Sequence, residues 1–164
     1  PLSGIELTIP LLTKMINEIE NLTCFKIESA QAASKIRALI KNCSERLDAP
    51  FDGEESITLY ADLEAGISGS MSSALLPEKI APVINHFWNN EKDKAEETYN
   101  NILPLINFEN RQCGFRATKT VMKEGGVIKS DFCRDPIKPL DQDTKNLLLN
   151  FAKRYDLLTY QWGK

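Results

Sequence analysis

The chain has 164 residues, of which 42% are hydrophobic and 26% charged, and its net charge at neutral pH is −3. This composition excludes a collagen-like, a low-complexity or a disulfide-stapled miniprotein, and without a basic block it argues against a nucleic-acid partner. No apolar run is long enough to cross a membrane, and the first residues lack a signal-peptide pattern. A cytoplasmic location is therefore expected.

The first 90 residues alternate between helical and strand patterns. Thr8 is a candidate N-cap, Pro10 suits a first helical turn, and apolar residues then recur at helical spacing. In chain order, the patterns predict a helix over 10–19, a strand over 22–28, a helix over 29–40, a strand over 48–52, a helix over 56–64, a strand and loop over 66–72, and a helix over 77–88. This alternation favours an α/β protein with parallel strands, too few to close a (β/α)8 barrel by themselves.

After residue 90 the alternation stops. Helical patterns cover 92–106, 116–124 and 143–154, and prolines fix the connection between the last two. The sequence thus predicts about three βα units followed by a tail of three helices.

Lys26 is the residue that most suggests chemistry, because it interrupts an apolar strand next to Phe25 and Ile27. An ammonium there must reach water, find a partner or lose its proton. A neutral lysine amine is a nucleophile that forms a Schiff base with a ketone, and the protonated imine then allows a proton to leave the neighbouring carbon. The alternative is that Lys26 points outward at the strand end and binds Glu28 or solvent.

Other residues near the predicted strand ends could bind a ligand. Glu28 shares a strand face with Lys26 and could tune it, hold a substrate hydroxyl or only form an ion pair. Gly53 ends the second strand, where a small residue lets a ligand approach the backbone or simply makes a turn. Ser70, in the third strand and loop, could donate a hydrogen bond to a ligand or serve as a small packing residue.

The single histidine and the four cysteines are expected to be structural. His86 lies in an amphipathic pattern, and the cysteines are widely spaced without a pair motif, so they suit reduced, buried thiols and no zinc site. No metal and no cofactor are expected.

The order of these pieces resembles the dihydrodipicolinate synthase / N-acetylneuraminate lyase family, whose members are Schiff-base (β/α)8 barrels with a three-helix extension. The segments that carry the resemblance are Leu2-Ser3-Gly4, 24–28, Gly53-Glu54-Glu55, 65–69, Lys119, Gly125-Gly126 and Arg134-Asp135-Pro136. It implies that residues 1–90 are a partial barrel, from the end of the fifth strand through the eighth, and that 91–164 are the helical extension.

The resemblance also implies roles for single residues. Lys26 matches the Schiff-base lysine, Gly53 the glycine that ends the seventh strand, and Met71 an apolar residue lining the pocket. Leu2 and Ser3 match the segment after the fifth strand, where Leu2 replaces the arginine of dihydrodipicolinate synthases. The Leu-Ser-Gly segment is similar to that of the sugar-acid lyase branch of the family. The segments 25–28 and 160–163 are similar to those of 2-keto-3-deoxy-sugar-acid dehydratases of the L-2-keto-3-deoxyarabonate type.

The family's earlier strands, its carboxylate-binding loop and its catalytic tyrosine have no counterpart in this sequence. The half-barrel is therefore expected either to form a homo-oligomer or to pair with a missing N-terminal half, because unpaired strand edges invite association.

Four functions stay open. The first is a dehydratase for a 2-keto-3-deoxy sugar acid, weak or inactive in this chain alone, and the second is a dihydrodipicolinate synthase or pyruvate-dependent aldolase. The third is a non-catalytic half-barrel or interaction subunit, and the fourth is a plain α/β binding module without covalent chemistry.

Overall fold

The computed structural model describes residues 6–43 and 45–164. These residues form two compact units, of which the first ends at Ser72 and the second begins at Ser73. The assignment of 1–90 to a partial barrel and of 91–164 to an extension stays a prediction.

The first unit alternates helices and strands in the predicted order. Its elements are α1 (Ile9–Glu18), β1 (Cys24–Ile27), α2 (Ala32–Cys43), β2 (Ala49–Asp52), α3 (Leu59–Glu64) and β3 (Gly69–Ser70). Helix α1 begins as predicted, since the Thr8 hydroxyl accepts a hydrogen bond from the Leu11 N–H at 3.4 Å and Pro10 lies in the first turn. The strands are shorter than predicted because only a few residues of each pair with a neighbour.

The three strands form a parallel sheet in the order β1-β2-β3. Lys26 lies opposite Phe51, and Asp52 lies opposite both Ile27 and Ser70. Because the strands are parallel, their carboxyl ends meet at one edge of the sheet, which is where ligands bind in α/β folds. The turns that follow Ile27, Asp52 and Ser70 therefore lie at the same edge.

Helices α1 and α3 pack against α2, which also contacts β1 and β2. Most of the core of this unit is apolar, and its buried side chains include Leu12, Ile16, Ile36, Leu39, Leu59 and Leu63. Their removal from water is the main force that holds the strand ends in place.

The second unit is helical. Its elements are α4 (Pro77–Trp88), α5 (Lys92–Phe108), a π-helical turn (Glu109–Cys113), α6 (Arg116–Glu124), α7 (Gln142–Arg154) and α8 (Leu158–Gln161). The three helices predicted after residue 90 are confirmed as α5, α6 and α7. The π-helical turn and α8 were not predicted, because each is too short to show a hydrophobic period.

No helix of the described residues is both long and apolar enough to cross a membrane.

Candidate active site

Lys26 lies in β1 between half-buried Phe25 and buried Ile27, and its own side chain is 35% exposed. Its ammonium group donates to the Glu28 carboxylate and to the Gly53 carbonyl oxygen, the latter at 3.2 Å. The Glu28 partner is the one considered from the sequence. The amine is thus held at the carboxyl end of the strand by two oxygens on neighbouring segments.

A cavity of about 170 Å³ opens beside this amine. The residues that line it are Leu7, Leu12, Lys26, Ile27, Glu28, Ser29 and Lys35. Three of these residues are apolar and four are polar or charged, so the cavity offers a small ligand both apolar contacts and charged partners.

Gly53 is required where the stem of Lys26 crosses the end of β2. A Cβ atom added there would lie 2.8 Å from Lys26 Cγ, 2.9 Å from the Ile27 carbonyl oxygen and 3.0 Å from Glu28 Cβ. The Gly53 N–H also donates to the Ile27 carbonyl at 2.9 Å, which continues the pairing of the two strands. A larger residue would have to displace the amine or the backbone.

Asp52 is fully buried at the end of β2 and organises the turn that follows it. One of its carboxylate oxygens accepts the Glu54 N–H at 2.9 Å, and the other accepts the Ser56 N–H at 3.1 Å. The second oxygen also accepts the Ser70 hydroxyl at 2.6 Å. The carboxylate therefore ties the turn to β3.

Glu55, within this turn, is a second carboxyl group near Lys26. Burial raises its pKa above the usual range; the charge of Lys26 opposes this rise, and the charges of Glu28 and Asp52 add to it. Among the described residues, its Oε2 atom is buried and has no hydrogen-bond partner. Such a carboxyl group can take up or release a proton closer to neutral pH than an exposed glutamate does.

The structure brings together three of the residues singled out from the sequence, Lys26, Glu28 and Gly53. Ser70 is placed at the Asp52 carboxylate. Met71 is 41% exposed, and its N–H donates to the Asp52 carbonyl at 2.9 Å. Neither Ser70 nor Met71 is among the described residues that line the cavity beside Lys26.

Leu2 and Ser3, the other two residues singled out, lie outside the described residues. Their proposed contact with substrate stays a prediction.

Sequence reasoning missed the roles of Asp52 and Glu55. The signal for Asp52 was a charged residue at the end of an otherwise apolar strand. Nothing in the sequence distinguished Glu55 from Glu54, because only the folded turn decides the surroundings of each of two neighbouring carboxyl groups.

Within 6–43 and 45–164, no group of three or more His, Cys, Asp or Glu side chains is placed to hold a metal ion. The four cysteines are free and buried or half-buried, and burial raises the pKa of Cys24, and that of Cys113 to about 11. His86 Nδ1 lies 2.6 Å from the Glu91 carboxylate within the helical unit, which suits a structural role.

The chain belongs to the dihydrodipicolinate synthetase family, whose model matches residues 1–154. Solved structures share its fold. It superposes on dihydrodipicolinate synthase from Aquifex aeolicus with a TM-score of 0.82 at 21% identity, covering 93% of this chain and 51% of that one. For the enzyme from Rhodopseudomonas palustris the TM-score is 0.80 at 22% identity, covering 90% and 50%. The fold is the C-terminal half of a TIM barrel followed by a helical extension, as expected from the sequence.

Two curated relatives are similar over nearly the whole chain. The L-2-keto-3-deoxyarabonate dehydratase of Azospirillum brasilense is 44% identical over 163 residues, covering 99% of this chain and 53% of its own length. The 4-hydroxy-tetrahydrodipicolinate synthase of Geotalea daltonii is 25% identical over 160 residues, covering 95% and 53%. The chain spans about half the length of the curated relatives it matches.

Proposed function

We propose that this chain carries the reactive lysine of a Schiff-base lyase that dehydrates a 2-keto-3-deoxy sugar acid. The observation that carries the proposal is an amine at the end of a strand, beside a cavity and hydrogen-bonded to the Glu28 carboxylate and the Gly53 carbonyl oxygen. The 44% identity to an L-2-keto-3-deoxyarabonate dehydratase supports dehydration over other reactions of the family.

In the proposed reaction, Lys26 first forms the imine. Its ammonium hands a proton to the Glu28 carboxylate, to which it is already hydrogen-bonded. The neutral nitrogen attacks the keto carbon of the substrate, and Glu28 then returns its proton as the oxygen leaves that carbon as water, which gives a protonated imine. The imine withdraws electrons from C3 and makes its hydrogen acidic.

Glu55 then serves as the acid–base group. As a carboxylate it removes the C3 proton, and the electron pair moves toward the imine nitrogen to give an enamine. When the enamine collapses, the C4 hydroxyl leaves as water with a proton returned by the Glu55 carboxyl group. Hydrolysis of the remaining imine frees the product and Lys26. A raised pKa suits Glu55 to both proton transfers.

The direct experiment is borohydride trapping with pyruvate and with a 2-keto-3-deoxy pentonate, followed by peptide mass mapping. We expect a reduced adduct on Lys26 and none in Lys26→Arg, which keeps the positive charge but cannot form the imine. Lys35, which lines the same cavity, is the internal control. An adduct on Lys35, or none in the protein at its natural length, would refute the proposal.

A synthase reaction is distinguished by its second substrate. Turnover of pyruvate with aspartate semialdehyde, faster than dehydration of the sugar acid, would assign the chain to the chemistry named for the Geotalea daltonii relative instead. The same Lys26 adduct would form in both cases, so the trapping experiment and this comparison answer different questions.

We also propose that the sheet is completed by strands from another chain or from a longer form of this one. Among the described strands, β1 and β3 each pair with β2 alone, so each keeps one free edge. Size-exclusion chromatography at low concentration tests this, and a stable monomer of this chain would count against it. The free cysteines favour the reducing cytoplasm as its location.

A further inference from the structure

We infer that Asp52 is a positioning residue whose buried carboxylate fixes the turn over 53–56, so that Glu55 is presented to Lys26. The inference rests on the proposed function of Lys26 and Glu55. Asp52 itself lines no part of the cavity and is assigned no contact with substrate.

The turn over 53–56 has a backbone conformation that needs support from its surroundings. Glu55 and Ser56 have φ angles of 53° and 66°, a left-handed conformation that side-chain-bearing residues adopt reluctantly. Two such residues in succession persist only where the surroundings over-determine them. The sequence offers no glycine at either position, so the conformation needs another source of stability.

Hydrogen bonds to Asp52 supply that stability. The two N–H groups that Asp52 accepts belong to Glu54 and Ser56, the residues immediately before and after Glu55. Hydrogen bonds from a backbone to a buried charge are stronger than those between neutral groups. Asp52 therefore holds both flanks of Glu55 while leaving its side chain uncommitted.

Asp52 also connects the turn to strand β3. The Ser70 hydroxyl donates to Asp52 at 2.6 Å and lies 2.9 Å from the Ser56 hydroxyl. The turn is thereby fixed to β3 as well as to β2. A loop that is anchored at two strands holds its side chains within a narrow range of positions, and proton transfer requires such fixed positions.

Charge gives the position a second effect. The groups whose charges act on Glu55 are Lys26 and Glu28 at the end of β1 and Asp52 at the end of β2, and the charge of Asp52 raises the Glu55 pKa. Asp52 in turn lies close enough to Asp62 of α3 for its charge to raise the Asp62 pKa. Replacing Asp52 by a neutral residue should therefore lower the Glu55 pKa, in addition to loosening the turn.

The test compares Asp52→Asn with the unaltered protein at its natural length. We expect the variant to form the Lys26 adduct with pyruvate but to lose at least about tenfold in kcat for dehydration, with KM changed less than about threefold. The limb of the pH–rate profile that reports Glu55 should move to lower pH. A role confined to folding would change the amount of active protein and leave that limb where it was.

Ser70→Ala is the milder variant should Asp52→Asn not fold, since it removes one donor to Asp52 and keeps both backbone donors. We expect kcat to fall about threefold with KM unchanged. A raised KM with unchanged kcat would instead indicate direct substrate binding by Ser70 and contradict the inference. Ser68→Ala is the matched control, because its hydroxyl donates to the Asp48 carbonyl at 3.2 Å, away from this network.

The trapping experiment distinguishes failure of the proposed function from failure of the role of Asp52. Unaltered protein that traps no adduct refutes the proposed function and, with it, the role of Asp52. Adduct formation in every variant, with kcat and the pH–rate limb of Asp52→Asn equal to those of the unaltered protein, refutes the role of Asp52 alone.

Discussion

Each unit contains a buried carboxylate that accepts a serine hydroxyl, and the two carboxylates have different neighbours. In the first unit, Asp52 at a strand end accepts Ser70 and two N–H groups of a left-handed turn. In the second, Glu109 accepts the Ser73 hydroxyl, with Thr118 at 3.5 Å, where α5 passes into a π-helical turn. In the strand unit, Glu55 is a second carboxyl group close to Asp52, and the charge of Lys26 acts on it.

The comparison teaches that a buried carboxylate does not by itself mark a site of chemistry. Both carboxylates fix local structure by accepting hydrogen bonds. What makes the strand end a candidate is Lys26 beside a cavity, together with Glu55, a carboxyl group whose pKa is raised by burial. Substitutions at these carboxyl groups can separate a catalytic role from a structural one.

The largest expected effect is that of Glu55→Gln. It keeps the size of the side chain but cannot exchange a proton, so kcat for dehydration should fall by about 100- to 10,000-fold. Borohydride trapping of pyruvate on Lys26 should persist, because imine formation uses Glu28. Glu54→Gln, the adjacent carboxyl group, is the control and should retain activity. Equal losses in the two variants would remove Glu55 from its proposed role.

The next effect concerns Asp62, another buried carboxyl group of the strand unit. Burial raises its pKa to about 6, against the opposing hydrogen bond from Thr58 at 2.7 Å. A raised pKa means that the folded protein binds this proton more tightly than the unfolded chain does. Stability is therefore greatest below about pH 4 with respect to this group and is lost as the pH rises through about 6.

Asp62→Asn should abolish that pH dependence and leave the protein about 2–3 kcal/mol more stable than the unaltered protein at pH 8, since one pKa unit corresponds to about 1.4 kcal/mol. Urea unfolding between pH 4 and pH 8 measures the difference. Glu64→Gln, at an exposed position of the same helix, should leave the pH dependence in place. A slope that survives in Asp62→Asn would contradict the assignment.

Glu109→Ala tests the helical side of the comparison. Loss of the acceptor for the Ser73 hydroxyl should lower the free energy of unfolding by about 2 kcal/mol. The kcat per folded molecule should not change, because this cluster is proposed to be structural. Glu96→Ala, at an exposed position in α5, should alter stability by less than about 0.5 kcal/mol. A drop in kcat without loss of stability would overturn the distinction.

The smallest effect on stability is expected from two glycine substitutions, which should destabilise the protein for different physical reasons. Gly53→Ala places a Cβ atom 2.8 Å from Lys26 Cγ, whereas Gly114→Ala meets no atom within 4 Å but must keep a φ angle of 59°. Each should cost about 1 kcal/mol, the first through crowding and the second through backbone strain. Only Gly53→Ala should slow trapping at Lys26; equal trapping rates would separate Gly53 from the amine.

Much of the fold could be predicted from the chain because its helices bury one face each. The apolar period located α1, α4 and α6 to within a residue or two of their observed bounds, and Pro10 and Pro77 fixed two of the starts. Elements with too few residues to show a period, such as α8, escaped prediction. Strand bounds were less accurate, since the observed strands are defined by backbone pairing between distant segments.

The sequence by itself determined the alternation of elements, the family and the choice of Lys26, since a lysine within an apolar strand requires an explanation wherever it occurs. Only the tertiary structure decided which groups surround that lysine. Asp52, Ser56 and Ser70 come from different segments and meet at one edge of the sheet, where they fix the turn that contains Glu55. Parallel pairing brings such distant residues together, and a linear pattern carries no record of which of them meet.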